Sequence, residues 1–294
     1  MSEKKKTLYF KRNKYRDKEF TENDLPLNRG IQFFDIVKND WKTLLLIGVI
    51  LLVASIPYLT IDVIHWFIIL KLPDQLASSG GTPEMIIQTI KLTEILYEAI
   101  LVPATLLLAV PLSGVSRVLK RLVHGEGVLF KEDFFQGIAM NIWQFLLLLF
   151  IYTVLRFLTQ FAHIYMAGIP YVSDISYGAS MGILHIVFIP ILLFMFAQAS
   201  IYKIKFWLNF QNSYRLAFNS ILVMLLFSLV IFGVYYMRYI PHPVLRIGLD
   251  SLLILLSPLY LLAIDLFAMS KFDVYINREN YPEIYRKGLR PENR

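Results

Sequence analysis

Cysteine is absent from this chain of 294 residues. Its absence excludes disulfide bonds, thiolate metal sites and a cysteine nucleophile. Charged residues are scarce, at 17% of the sequence, whereas soluble domains carry about 25%. The glycine-rich phosphate loop, the His-Glu-x-x-His helix and the Gly-x-Ser-x-Gly elbow are also missing. We therefore expect a protein that is not an enzyme and that has no cofactor.

Apolar residues, by contrast, are abundant, at 56% of the chain with a mean hydropathy of +0.55. They are concentrated in six stretches, and about 20 apolar residues suffice to cross a hydrocarbon core about 30 Å thick. The six stretches are 43–61, 95–112, 142–164, 181–201, 219–237 and 247–268. Lipid offers no hydrogen-bond partners to the backbone, so each should be a helix. The sequence predicts an all-α, polytopic membrane bundle of six transmembrane helices with interfacial amphipathic helices.

Positive charge lies mainly on alternate connections between these stretches. Of the 29 Lys and Arg residues, 11 precede the first stretch, 4 lie between the second and third, 3 between the fourth and fifth, and 6 follow the last. The other three connections hold 2, 0 and 2. The positive-inside rule then predicts a multi-pass protein of the cell membrane with both termini in the cytoplasm.

The same boundaries divide the chain into a basic arm at 1–29, a six-span domain at 30–270 and a tail at 271–294. The arm, predicted to be partly disordered, carries Lys4, Lys5, Lys6, Lys11, Arg12, Lys14, Arg16 and Lys18. Such a segment beside a membrane is attracted to anionic lipid headgroups. No recognition helix or aromatic platform follows it, so we expect lipid rather than nucleic acid as its partner.

The connection at 113–142 has the pattern of an amphipathic hairpin. Apolar residues recur at helical spacing on one face of its first helix: Val115, Val118, Leu119, Leu122 and Val123. The opposite face carries Ser116, Arg117, Lys120, Arg121 and His124. After Gly125-Glu126-Gly127, a second periodic segment leads into the third span, and the pair should lie in the headgroup plane. The candidate surface for lipid or a partner protein comprises Arg117, Lys120, Arg121, Asp133, Phe134 and Asn141.

Three membrane entries resemble one another. Asn39-Asp40-Trp41, Asn141-Ile142-Trp143 and Asn219-Ser220-Ile221 each stand between an aromatic, amphipathic segment and a span. This pattern is consistent with three repeated units of interfacial helix and transmembrane hairpin. It is equally typical of any chain that enters the membrane through an aromatic-rich interface.

The stretch 111–143 resembles the YesL-like family of bacterial integral membrane proteins. The shared pattern comprises Pro111-Leu112-Ser113-Gly114, a basic helix through Arg117 and Arg121, the turn Gly125-Glu126, then Asp133-Phe134-Phe135 and Asn141. The resemblance implies a membrane protein associated with oligosaccharide uptake and glycoside degradation. This chain departs from the family in its longer amino-terminal arm and longer first outer loop.

Ionisable residues inside a membrane are costly and are candidate functional groups. Glu98 lies in the second span, which Pro103 and Pro111 interrupt, and broken helices often line transporter sites. Arg156 in the third span shares a helical face with Gln160 and His163. We predict a polar cavity formed by Glu98, Arg156, Gln160 and His163. The alternative is structural, with Arg156 bound to carbonyls or to an acid such as Asp62 or Asp250.

Histidines near the outer ends of spans form a weaker candidate. They are His65, His163, His185 and His242, and Asp62 precedes the first by one turn. Zinc takes three or four such ligands. The spacing matches no metal motif, and we predict no metal site.

Three hypotheses for function follow. The first is a non-enzymatic accessory component of carbohydrate or envelope-related transport, which would bind subunits of a transport system. The second is a self-sufficient permease with its site between the broken second helix and the third. The third is an intramembrane enzyme that modifies lipid or peptide.

Overall fold

The protein is all-α, as the sequence predicts. The computed structural model describes residues 24–166, 172–202, 204–237, 240 and 242–291, and this part of the chain contains no strand. The basic arm at 1–23 lies outside it. The helices are α1 (Arg29–Asn39), α2 (Trp41–Ala54), α3 (Ile56–Ser78), α4 (Pro83–Leu106), α5 (Ala109–Val123), α6 (Phe130–Met166), α7 (Val172–Ile183), α8 (Ile189–Ile201), α9 (Phe206–Asn219), α10 (Ile221–Tyr236), α11 (Pro243–Phe272) and α12 (Arg278–Asn280). A π-helical turn joins α7 to α8, and another joins α11 to α12.

Several helices are long and apolar enough to cross a membrane. Four helical segments have the required length and hydropathy without a break: α3, α6, the α7–α8 segment and the segment from α11 to α12. Two bent pairs bring the number to six if each pair is one span: α4 with α5, at 41°, and α9 with α10, at 102°. The chain is therefore an integral membrane protein with four to six membrane-spanning segments.

The first span differs from the prediction. The stretch 43–61 crosses a break at Ser55, so its first part forms α2, only 14 residues long, and its second part begins α3. The helix that is long enough to span runs instead from Ile56 to Ser78. Its apolar residues continue through Trp66 and Leu70, and the chain turns back only at Gly80, whose φ of +82° suits glycine. The turn of this α3–α4 hairpin defines what we term the hairpin end of the bundle.

The three similar membrane entries form different structures. Asp40 separates α1 from α2, and Ser220 separates α9 from α10, so these two entries are sharp breaks. Asn141, by contrast, lies inside α6, which runs without interruption over all of its 37 residues. The entries therefore share a sequence pattern, while only two of them share a backbone break.

Helices α5 and α6 form the predicted hairpin, and α5 ends where the glycine turn was expected. Gly125 has a φ of +68°, its N–H donates to the Leu122 carbonyl, and the Glu126 N–H donates to the Arg121 carbonyl. This is a Schellman cap. Gly114 and Gly137 let the two helices touch, since a Cβ on Gly137 would lie 2.7 Å from the Ser113 carbonyl oxygen.

The apolar face of α5 is covered by protein. Val118 is 0% exposed, and its apolar neighbours on that face are equally buried in the main core, against α2, α8 and α11. This face is therefore not free to contact lipid, and the expectation that the hairpin lies in the headgroup plane stays a prediction. Close packing through glycine gives the apolar side chains protein neighbours in place of lipid.

The tail packs against the start of the bundle and defines its opposite end, which we term the tail end. The Arg290 N–H donates to the Pro26 carbonyl. Arg29 forms a buried ion pair with Asp273 at 2.7 Å and donates to the Lys287 carbonyl. Both ends of the described chain therefore lie at the same end of the bundle.

Candidate intramembrane site

A cavity of about 300 Å³ lies between α3, α4, α6, α10 and α11. Its polar lining comprises Ser55, Tyr58, Asp62, Tyr97, Thr105, Tyr152, Arg156, Arg246, Asp250 and Ser257. The remaining wall is aliphatic. A concave, largely apolar site with a few converging polar groups is the usual form of a small-molecule site. We term this space the membrane cavity.

Asp62 holds three helices together at the edge of the membrane cavity. It lies on α3, is 5% exposed, and accepts a hydrogen bond from the Tyr97 hydroxyl of α4 at 2.5 Å. It also accepts one from the Arg246 guanidinium of α11. His65, one turn along α3, stacks on the Tyr97 ring at 3.7 Å between centroids, and its Nε2 lies 3.3 Å from the Glu94 carboxylate. The charge of Asp62 is thus compensated from two directions.

A second ion pair joins α4 to α6. The Arg156 guanidinium donates to the Glu98 carboxylate at 2.8 Å, and the two side chains are 9% and 2% exposed. Arg156 also lines the membrane cavity, one turn from Tyr152. Two charges buried together in this way are retained only when they are paired.

Acidic and basic residues line the membrane cavity in equal number. Among the described lining residues, Asp62 and Asp250 oppose Arg156 and Arg246. Asp250 follows Arg246 by one helical turn on α11, so both face the same space. The lining itself therefore has two carboxylates and two guanidinium groups, while Glu98, beside the wall, adds a third carboxylate that pairs with Arg156.

The break between α4 and α5 forms part of the wall of the membrane cavity. Pro111 has no N–H, so the Leu107 carbonyl lacks its helical partner four residues on, and the chain bends there by 41°. Thr105 and Leu108, on either side of the break, line the membrane cavity. The proline interruption predicted for this span thus lies beside the site.

A second cavity of about 180 Å³ follows the first toward the tail end. Ile231 lines both, and the wall on α11 passes from Ile254 and Ser257 to Tyr260 and Ile264 on the next turns. Asp265 is its single charged lining residue among those described. The two cavities are therefore stacked along one face of α11.

The predicted polar cluster is divided between two places. Glu98 and Arg156 are brought together, and Arg156 lines the membrane cavity. Gln160 instead donates to the Tyr177 hydroxyl at 3.2 Å, and the His163 ring lies 4.2 Å from the Tyr177 ring. Gln160 and His163 point toward α7 and are not among the residues that line the membrane cavity.

The acid that pairs with Arg156 is Glu98, and not Asp62 or Asp250 as suggested in the structural alternative. Asp62 pairs with Arg246, and Arg156 pairs with Glu98. Arg246 was missed because the last span was predicted to begin after it, whereas α11 begins at Pro243. The spacing of Arg246 and Asp250, four residues apart, is the signal that could have found it.

Most of the candidate surface residues of the α5–α6 hairpin bind other groups of the protein. Asp133 is buried, accepts a hydrogen bond from the Leu129 N–H at 2.8 Å and pairs with Arg121 at 3.2 Å. Arg117 donates to Gln136 at 2.7 Å, and Lys120 donates to the Ile201 carbonyl at 3.2 Å, where α8 ends. Of the other two, Phe134 packs against Gly114 and Asn141 is buried. These residues cap and join helices.

His124 was predicted on the cationic face of the hairpin, but it is 5% exposed. Burial, followed by the nearby charges of Lys120 and Lys287, lowers its pKa to about 4 against the smaller opposite effect of Glu126. His124 is consequently neutral at pH 7, and the expected cation is missing from this face.

The histidines do not converge. His65 contacts Glu94, His163 contacts Tyr177, and the His185 ring hydrogen-bonds to the Met181 carbonyl. Among the described residues, no group of three or more His, Asp or Glu side chains is placed to hold a metal ion.

No protein-family model, curated protein or solved structure matches the chain. The resemblance of 111–143 to the YesL-like family stays a prediction. Function is therefore inferred from the geometry of the membrane cavity.

Proposed function

We propose that the protein is a membrane transporter that binds a small neutral or zwitterionic solute in the membrane cavity. The observation that supports this most directly is the space itself, about 300 Å³ within the apolar part of the bundle, lined by charged groups from three helices. Bundles that only pack helices have no need of such a space. The lining has acidic and basic groups in equal number, which favours a solute without net charge, and the hydroxyls of Tyr58 and Tyr152 offer hydrogen bonds to it.

The stacked second cavity supports the same proposal. A transported solute needs a route to both faces, and the two cavities follow one another along α11. The break at Pro111 lies between them and is a site where the helix can bend. Movement of α5 relative to α4 would then alter access to the membrane cavity.

The test is uptake by the purified protein in liposomes across a panel of neutral and zwitterionic sugars, polyols and amino acids. Tyr58→Phe removes a single lining hydroxyl and Asp250→Asn a single lining charge, so both should reduce saturable uptake about tenfold. Asp74→Asn, an exposed position on the same helix as Tyr58, is the matched control and should transport normally. No saturable uptake of any solute would contradict the proposal.

The accessory role predicted from the sequence is the second candidate. The pairing and deep burial of Glu98 and Arg156 favour it, because a rigid subunit needs closed ion pairs and no pathway. In that case the protein would show no flux alone and would co-purify with other subunits of a carbohydrate or envelope-related transport system. Co-purification without flux would replace the first proposal with this one.

Cytoplasmic placement of the tail end is part of the proposal. The connections rich in Lys and Arg include those before α2 and after α11, and the described parts of both lie at the tail end. The hairpin end would then face outward from the cell membrane.

A further inference from the structure

A third cavity, of about 250 Å³, lies at the tail end between the end of α8, the start of α9 and the π-helical turn after α11. Its polar lining comprises Gln198, Tyr202, Asn212, Asn280 and Tyr281. It shares no lining residue with the membrane cavity or the second cavity. We term it the tail cavity.

Gln198 is the most informative residue of the tail cavity. It is 0% exposed, and its Nε2 donates to the Ser213 hydroxyl at 2.7 Å. Its Oε1 is buried and has no hydrogen-bond partner. Buried polar atoms in folded proteins almost always have a partner, so this exception beside the tail cavity indicates a group that arrives with a ligand. Because the oxygen has no accessible surface in the present rotamer, the Gln198 side chain must rotate toward the cavity to meet that group.

Two further polar groups are available in the same wall. Neither the Asn212 amide nor the Tyr281 hydroxyl hydrogen-bonds to any residue in the described part of the chain. The Tyr202 hydroxyl is already used, because it donates to the Asn277 side chain. The rings of Tyr202 and Tyr281 lie 5.0 Å apart between centroids. The wall thus offers an acceptor, an amide, a hydroxyl and flat apolar ring faces.

The lining also limits the charge and size of a ligand. None of its described residues is ionised at neutral pH, and burying an uncompensated charge here would be costly. The volume of about 250 Å³ lies just below the range of about 300–1,000 Å³ that is usual for pockets of drug-sized ligands. The ligand group that enters is therefore small and uncharged.

We propose that the tail cavity binds a small uncharged polyol group, with one of its hydroxyls donating to Gln198 Oε1. A hydroxyl both donates and accepts, so the same molecule can also accept from the Asn212 amide. The aliphatic side chains and tyrosine rings contact its carbon skeleton. A free polyol and the sugar headgroup of a neutral glycolipid share this chemistry. The proposal is independent of transport through the membrane cavity.

The experiment measures binding to the purified full-length protein in two arms. In detergent, calorimetric titrations use glycerol, erythritol, myo-inositol and glucose, with glycerol 3-phosphate and gluconate as charged counterparts. In nanodiscs, the thermal unfolding midpoint is compared between phosphatidylcholine alone and phosphatidylcholine with glucosyl-diacylglycerol. Binding in the first arm identifies a free polyol, and a higher midpoint in the second arm alone identifies a lipid headgroup.

Variants test whether binding takes place in the tail cavity. Gln198→Leu should weaken binding about tenfold because the acceptor is lost. Asn212→Leu should do the same without breaking any hydrogen bond within the described chain, so it serves if Gln198→Leu fails to fold. The matched control is Gln144→Leu, since Gln144 also has a buried Oε1 without a partner but lines none of the three cavities. Its affinity should be unchanged.

Three results would overturn the proposal. One is the absence of binding by the wild-type protein in both arms. Another is equal binding of the charged and uncharged compounds. The third is affinity in folded Gln198→Leu and Asn212→Leu variants equal to that of Gln144→Leu.

Discussion

Individual charged residues around the membrane cavity keep their places because each is compensated by another helix. Glu98 and Arg156 connect α4 to α6, and Asp62 and Arg246 connect α3 to α11. Burying such pairs contributes little net stability, whereas removing one partner leaves a charge that is desolvated and unpaired. The pairs therefore act mainly to specify which helices meet.

Glu98→Gln should lower the free energy of unfolding by about 3–5 kcal/mol, because Arg156 loses the carboxylate that compensates it. Arg156→Gln should have a similar effect. The double variant should lose clearly less than the sum of the two, since it leaves no isolated charge. Thermal or denaturant unfolding of the purified protein in detergent measures all three. Additive losses would show that the two side chains do not depend on each other.

His124 makes the tail end sensitive to acid. Its pKa is about 4 in the folded protein and about 6.5 when exposed. The folded state thus binds fewer protons than the unfolded state between these values, and stability falls as the pH is lowered through this window. The full loss is about 3 kcal/mol.

The measurement is the unfolding midpoint at about pH 7 and at about pH 4 for the wild type and for His124→Gln. The variant has no titrating imidazole and should lose less stability over the same interval. Identical pH dependence in the two proteins would assign the acid sensitivity to other groups.

At the scale of the helices, glycines decide how closely neighbours approach. Gly48 on α2 faces α11, and a Cβ there would lie 2.3 Å from the Leu255 carbonyl oxygen. Gly114 and Gly137 play the same part between α5 and α6. Small residues at helix contacts are typical of membrane bundles, where backbone approach replaces the hydrophobic effect as a source of affinity.

Gly48→Ala should destabilise the bundle by about 1–3 kcal/mol, because α2 and α11 must separate to admit the methyl group. Gly233→Ala on α10 is the matched control, since nothing lies within 4 Å of its Cβ position. It should be neutral or stabilising by up to about 1 kcal/mol through helix propensity. Unfolding midpoints of the two variants compare these effects, and equal midpoints would rule out the close contact.

At the scale of the whole molecule, both ends of the described chain lie together at the tail end, opposite the α3–α4 turn. An even number of crossings produces this arrangement. It agrees with the alternation of positive charge along the sequence, which independently predicts that the two termini share a side.

The absence of cysteine makes this arrangement easy to test. Ser79→Cys places a thiol at the hairpin end, and Glu283→Cys places one at the tail end; both positions are exposed. A maleimide that cannot cross membranes should label Ser79→Cys on intact cells and Glu283→Cys only after lysis. Labelling of both on intact cells would refute an even number of crossings. Labelling of Glu283→Cys alone on intact cells would show that the orientation is the opposite of the one proposed.

The sequence by itself determined that the protein is an all-α membrane bundle, that Gly125 ends α5, and that a break near Pro111 interrupts the second predicted span. Hydropathy and turn chemistry act over a few neighbouring residues, so they can be read directly from the chain. Only the tertiary structure decided that Glu98 pairs with Arg156, that Arg246 pairs with Asp62, and that His124 and the apolar face of α5 are buried. Such contacts depend on how distant helices rotate and pack against one another, and the periodicity of a single helix does not contain that information.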